Sequence, residues 1–183
     1  IGAIEEARAL FAESGLPLRE GHCLSRLALL LQITGRRAEA ERANAMALAV
    51  LEPLAPNREL ISAYNMESWL SLGADDPVKG IASVDKALTL AEHFEAEGDL
   101  PRLFEVAGLL WITQDRQRGM AYLERALTVA LKLDHATRAA NIYTNLALLY
   151  VDDYRFDAAQ TLFDIAIPFA QERDLDFARS QMS

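Results

Sequence analysis

The chain has 183 residues, 51% of them hydrophobic and 25% charged, which is enough to bury a core and unlike the depleted composition of disordered chains. Its formal charge is −9, with three lysines (Lys79, Lys86, Lys132) and scattered arginines, so no basic stripe exists to displace counterions from phosphates, and direct nucleic-acid binding is excluded as an expectation. The longest uncharged apolar runs, "LALLL" and "AMALAVL", fall far short of the roughly 20 residues a spanning helix needs, and a single cysteine, Cys23, leaves no internal disulfide. The expectation is a cytoplasmic protein with no membrane contact.

The chain enters at once on "AIEEARALFAE", and residues 1–14 read as the trailing helix of a preceding unit. Residues 18–53 form the first helical hairpin: Leu24, Leu27, Ala28 and Leu31 keep 3–4 spacing, Gly35 stands where a helix end favours a left-handed residue, and Ala40, Ala47 and Leu48 resume the pattern. In the second hairpin, 57–97, Tyr64 and Ser68 keep the first-helix spacing but Glu67 and Ser71 occupy apolar places; Gly80, Val84, Ala87 and Leu88 make its second helix clear. The third, 100–133, offers Leu103, Val106, Ala107 and Leu110, then Gly119, Leu123, Ala126 and Leu127. The fourth, 136–173, offers Tyr143, Leu146, Ala147 and Tyr150, a turn near "DDYRF", and Phe156, Ala159, Phe163, Ala166 and Ile167. "DLDFARSQMS" reads as the start of a further unit at 175–183, so both ends look cut from a longer protein.

Ala47, Ala87, Ala126 and Ala166 recur at intervals of 40, 39 and 40 residues. A period of this size marks a repeat array, in which each hairpin hides its apolar face by stacking on the next. Small residues recur because only Ala, Gly or Ser admits a partner backbone where helices cross closely. The expected fold is all-α, a single repeat domain of nine or ten helices in about four hairpins of ~40 residues.

Tyr143-x-x-Leu146-Ala147-x-x-Tyr150 followed by Ala159-x-x-x-Phe163-x-x-Ala166 resembles the tetratricopeptide signature, with Gln171 standing where that signature ends in proline. The resemblance implies a right-handed α-α superhelix. Over residues 85–183, "ALTVALKLDHATRAANIYTNLALLY" and "AIPFAQERDLDFARS" resemble the tetratricopeptide-like regions of large bacterial LuxR-type transcriptional regulators with an ATPase module. That resemblance implies a sensing or interaction region lying between a nucleotide-binding domain and a helix-turn-helix. Arrays of this kind also occur in cyclases, kinases and adaptors.

No phosphate-cradling G-x-x-x-x-G-K-[ST] is present, and His22, His93 and His135 lie in different hairpins with no H-E-x-x-H, so no catalytic, cofactor or metal residue is assigned. The paired carboxylates Glu5-Glu6, Asp75-Asp76 and Asp152-Asp153 read as helix-start and turn residues, and Cys23 beside His22 as a small packed residue. In tetratricopeptide arrays a face of each first helix lines a concave groove. Carried through the repeat, that face comprises Asn141, Thr144, Leu148 and Val151; Pro101, Phe104, Gly108 and Trp111; Ser62, Asn65, Trp69 and Leu72; and His22, Ser25, Leu29 and Gln32. Both tryptophans fall on it, either as recognition anchors or as packing residues shielded by neighbouring hairpins. It carries Asn65 and Asn141 but no Lys or Arg, which disfavours a peptide carboxylate and favours a protein, peptide or small neutral or apolar ligand. A passive scaffold that self-associates through the edge at Phe177 and Ala178 is the alternative; an enzyme assembled in the groove is a third reading.

Overall fold

The computed structural model describes residues 1–173 and is all-helical there, with nine α-helices, one 3₁₀ turn and no strand among the described residues. The unit expected at 175–183, with its edge at Phe177 and Ala178, lies outside them. No helix among the described residues is long and apolar enough to cross a membrane. The chain divides into two compact units, Ile1–Asp99 and Leu100 onward, where the repeat by itself marks no boundary.

The first unit holds α1 (Gly2–Glu13), α2 (Pro17–Ile33), α3 (Arg37–Leu51), α4 (Glu59–Gly73) and α5 (Pro77–His93), then a 3₁₀ turn at Glu97–Asp99. Here α2 pairs with α3 and α4 with α5, while α1 packs on α2, and α4 on both α2 and α3. Leu27, Ala28, Leu31, Ala40, Ala43, Met66 and Leu70 form one buried cluster that Ile4 and Leu29 extend. The second unit holds α6 (Leu100–Ile112), α7 (Arg116–Lys132), α8 (Ala136–Asp152) and α9 (Phe156–Gln171). Its pairs are α6 with α7 and α8 with α9, and α8 also packs on α7 and α6. Pro168 lies inside α9, as the missing terminal proline of the repeat allows.

Local chemistry starts and stops these helices. Pro17 and Pro77 stand in the first turns of α2 and α5, where a missing N–H costs nothing, and Asp76 and Asp115 accept from the amides of Lys79 and Arg118 at 3.1 and 3.0 Å. Six helices end through a left-handed residue, at Gly15, Gly35, Asp75, Glu95, Asp134 and Tyr154. In each case the next amide reaches back to a carbonyl of the last turn, from Leu16 to Phe11, Arg36 to Leu31, Asp76 to Ser71, Ala96 to Ala91, His135 to Ala130 and Arg155 to Tyr150, at 2.8–3.0 Å. Only two of the six are glycine, so the tight turn is imposed on four L-residues at a cost of ~1–2 kcal/mol each.

The periodic alanines Ala47, Ala87, Ala126 and Ala166 are all buried, at 0–1% exposure. In the second unit two glycines meet where α6 crosses α7. A Cβ on Gly119 would lie 2.7 Å from the Ile112 nitrogen and 2.8 Å from the Gly108 oxygen, and one on Gly108 would strike Leu123. A second repeated device joins successive hairpins: Arg37 at the start of α3 donates to the Leu70 carbonyl of α4, and Arg116 at the start of α7 donates to the Leu149 carbonyl of α8 at 2.7 Å. Arg116 also pairs with Asp153 at 2.7 Å. Each arginine thus brings a charged donor to a last-turn carbonyl of the next hairpin's first helix, one that also accepts from the backbone amide of Ala74 or Asp153.

Two stability changes of opposite sign follow. Gly119→Ala is expected to destabilise by about 1–3 kcal/mol, because the new methyl meets backbone that cannot move aside. Asp134→Gly is expected to stabilise by up to about 1 kcal/mol, the relief of left-handed strain exceeding glycine's entropy cost. Urea denaturation of the two variants beside the parent chain measures both.

Candidate functional site

The residues expected on a recognition face fall into two sets. In the second unit, Phe104 is buried against α7: its ring lies 6.1 Å from that of Tyr122, and the Arg125 guanidinium sits 4.3 Å above it. Trp111 is half-buried, with the Arg118 guanidinium 3.7 Å over its ring. Gly108 faces Leu123 and Gly119 of the same helix. On α6, therefore, the face assigned to a groove is partly covered by the helix's own partner: the glycine crossing draws α7 against it, and α6 is buried from Leu103 to Gly108 without interruption. On α8, Thr144 is buried and donates to the Ala140 carbonyl at 3.0 Å, Asn141 is half-buried, and Leu148 and Val151 are exposed. In the first unit, Asn65 and Ser25 are buried, and Trp69, Leu72, Leu29 and Gln32 are half-buried. The side-chain oxygens of Ser25, Gln32, Asn65 and Asn141 and the indole nitrogen of Trp111 are buried with no hydrogen-bond partner among the described residues. Each such atom costs roughly 1–3 kcal/mol relative to a paired one.

A second feature lies on the other side of the first unit. A cleft of about 570 Å³ opens between α3 and the start of α5, floored by α4, and is lined by Arg42, Asn44, Glu67, Leu70, Ser71, Asp76 and Lys79 among others. Asn44 is 2% exposed and its Oδ1 has no partner among the described residues. Glu67 is held by the Lys79 ammonium at 3.1 Å and by the Ser83 hydroxyl, which donates to its other oxygen at 2.7 Å. Asn44 belongs to no motif and is hidden in a linear reading of "RANAMALAV". Setting the hairpins one above another exposes it: the places of Asn44, Glu67 and Ser71 are filled in the second unit by Leu123, Leu146 and Tyr150. Three polar departures from the core register thus converge on one cleft.

The remaining buried ionisable groups have structural explanations. Glu105 on α6 accepts from Arg138 and, at 3.2 Å, from Asn145, both on α8. Burial pushes its carboxyl above the ordinary value, and Arg138 pulls part of the way back. Burial and then the 2.7 Å hydrogen bond to Glu52 push the Tyr64 phenol well up, and burial alone raises Tyr143. Cys23 is buried, and no cluster of three His, Cys, Asp or Glu able to hold a metal occurs among the described residues.

No protein family and no curated protein matches the sequence. Among solved structures the chain is similar to BtubC (BKLC) from P. vanneervenii, at 23% identity and a TM-score of 0.74, over 92% of this chain and 70% of that one. At this identity the likeness concerns the fold alone.

The raised Glu105 carboxyl has a defined pH signature. A raised folded value means that its contribution is fully present below the ordinary carboxyl value of 4.5 and is lost as pH rises through the folded value. Stability of the second unit, followed by Trp111 fluorescence in a Trp69→Phe background, should therefore contain a component that falls with rising pH above that value. Glu105→Gln, which keeps an acceptor for Arg138 and Asn145, should remove it.

Proposed function

We propose that the chain is a non-catalytic, protein- or ligand-binding module of tetratricopeptide-like architecture, its hairpins continuing as a right-handed superhelix, and that it serves as the sensing or interaction region of a LuxR-type transcriptional regulator in the cytoplasm. One observation carries the binding reading. Of seven buried side-chain polar atoms without a partner among the described residues, five belong to Ser25, Gln32, Asn65, Trp111 and Asn141, all on the first-helix face assigned to recognition. Unpaired polar groups on an apolar wall fix the orientation of a bound peptide or small neutral ligand, while half-buried aromatics such as Trp69 supply contact area. The ~40-residue period and the LuxR-like segments of the second half support the parent class.

Selection of peptides from a displayed library on the immobilised chain, followed by calorimetry, tests this. Saturable binding is expected. Asn65→Ala and Trp69→Ala should each weaken a peptide bound in the first unit by tenfold or more, with unchanged far-ultraviolet circular dichroism. Binding that ignores Asn65, Trp69, Trp111 and Asn141 alike, or no saturable binder at all, would favour the passive, self-associating scaffold.

A further inference from the structure

We propose that the polar cleft of the first unit is a second recognition site, separate from the first-helix face, and that it takes a basic side chain, a guanidinium or primary ammonium, presented by a peptide partner.

The repeat defines what belongs in the cleft. At the position of Asn44 the other hairpins carry Val84, Leu123 and Phe163; at that of Glu67 they carry Leu27, Val106 and Leu146; at that of Ser71, Leu31, Leu110 and Tyr150. Val84, Leu110, Leu123 and Val106 are each at most 1% exposed, so these are core positions. In the first unit alone, three of them are polar and line one cleft together. Random drift would scatter such losses over the register, whereas a built site gathers them.

The chemistry of the lining then selects the occupant. The lining carries Glu67 and Asp76 beside Arg42 and Lys79, together with Glu41, which pairs with Arg37 at 2.9 Å. Lys79 is already committed to Glu67 at 3.1 Å. Arg42 contributes, after Arg36, to holding the Glu39 carboxylate below its ordinary value, and it also lines a neighbouring cleft. The uncommitted buried group is the Asn44 oxygen, which can only accept. An apolar occupant would leave that acceptor unpaired and desolvate the carboxylates; an anion would meet the Asn44 and Glu67 oxygens, which can only accept. A planar or tetrahedral cation with several N–H donors meets every requirement, and Lys79, whose side chain is 58% exposed, can yield the Glu67 oxygen to it. The volume suits a side chain with a little flanking backbone, and the chain's charge of −9 draws basic partners toward it.

The test uses the full chain and the tripeptide acetyl-Ala-Arg-Ala-amide, with citrulline in place of arginine as a neutral isostere, followed by amide chemical shifts. Saturable binding near the millimolar range is expected, with shifts at the Asn44 side-chain amide and at Ser71, Glu67 and Lys79, and roughly tenfold weaker binding of the citrulline peptide. Asn44→Val, which restores the residue type used at Val84, should abolish binding and raise the thermal midpoint, so that loss of binding cannot be loss of fold. Glu67→Gln, which preserves shape, should weaken binding about fivefold or more. Absence of a saturable shift, equal binding of the two peptides, or undiminished binding by Asn44→Val would overturn the proposal. So would a lowered midpoint in Asn44→Val together with undiminished binding by Glu67→Gln, which would make Asn44 a structural residue.

Discussion

The structure depends on helices approaching closely at small residues. Ala47, Ala87, Ala126 and Ala166 are buried almost without exposure, and Gly108 and Gly119 leave no room for a Cβ on either side of their crossing. Contact at such points brings large neighbours, among them Leu24, Leu51, Leu103 and Leu123, into full burial, where each contributes roughly 1.5–3 kcal/mol relative to exposure. The 40-residue period is the sequence's record of that steric rule. Six turns along the chain pass through a left-handed residue even where the side chain is Asp, Glu or Tyr, whereas the turn between α6 and α7, beside the glycine crossing, does not.

Much of this was legible. The alanine period, the second helices of all four hairpins, the glycine turn at Gly35 and the passage of α9 through Pro168 follow from spacing and steric size. The turns at Asp75, Glu95, Asp134 and Tyr154 were not, since L-residues seldom adopt positive φ and carry no mark when forced to. Nor was the surrounding of Phe104 and Trp111. Spacing places a residue on a helix face, but which neighbour covers that face depends on how closely the crossing residues allow the helices to come, and Arg118, Tyr122 and Arg125 reach over α6 only because Gly108 and Gly119 meet. Phe156, which shares the apolar spacing of α9, is exposed and lies edge-on to Tyr154 at the turn.

The functional signals are departures from the same rule. Where the register asks for Val or Leu and the chain supplies Asn44, Glu67 or Ser71, core stability is given up, and such losses persist where a surface has another task. The corresponding positions of the second unit, Leu123, Leu146 and Tyr150, show the same architecture in its apolar form. Glu105 departs differently: it is a buried carboxylate made acceptable by Arg138 and Asn145, and it ties α6 to α8. Pairing of consecutive helices, then, is common to the four hairpins, while chemistry is distributed unevenly among them.

Small-residue crossings set the register from which the other positions are measured. Enlarging alanines at and away from those crossings, in paired variants of one helix, separates this from a merely apolar core. Ala87→Leu and Ala126→Leu place new atoms at buried crossings of α5 and α7, whereas Ala82→Leu and Ala121→Leu add the same atoms on their exposed faces. Equilibrium urea denaturation should show losses of about 1–3 kcal/mol for the crossing pair and changes within about 0.5 kcal/mol for the exposed pair. Equal effects at crossing and exposed positions would contradict the register and, with it, the reading of Asn44, Glu67 and Ser71 as departures from a core.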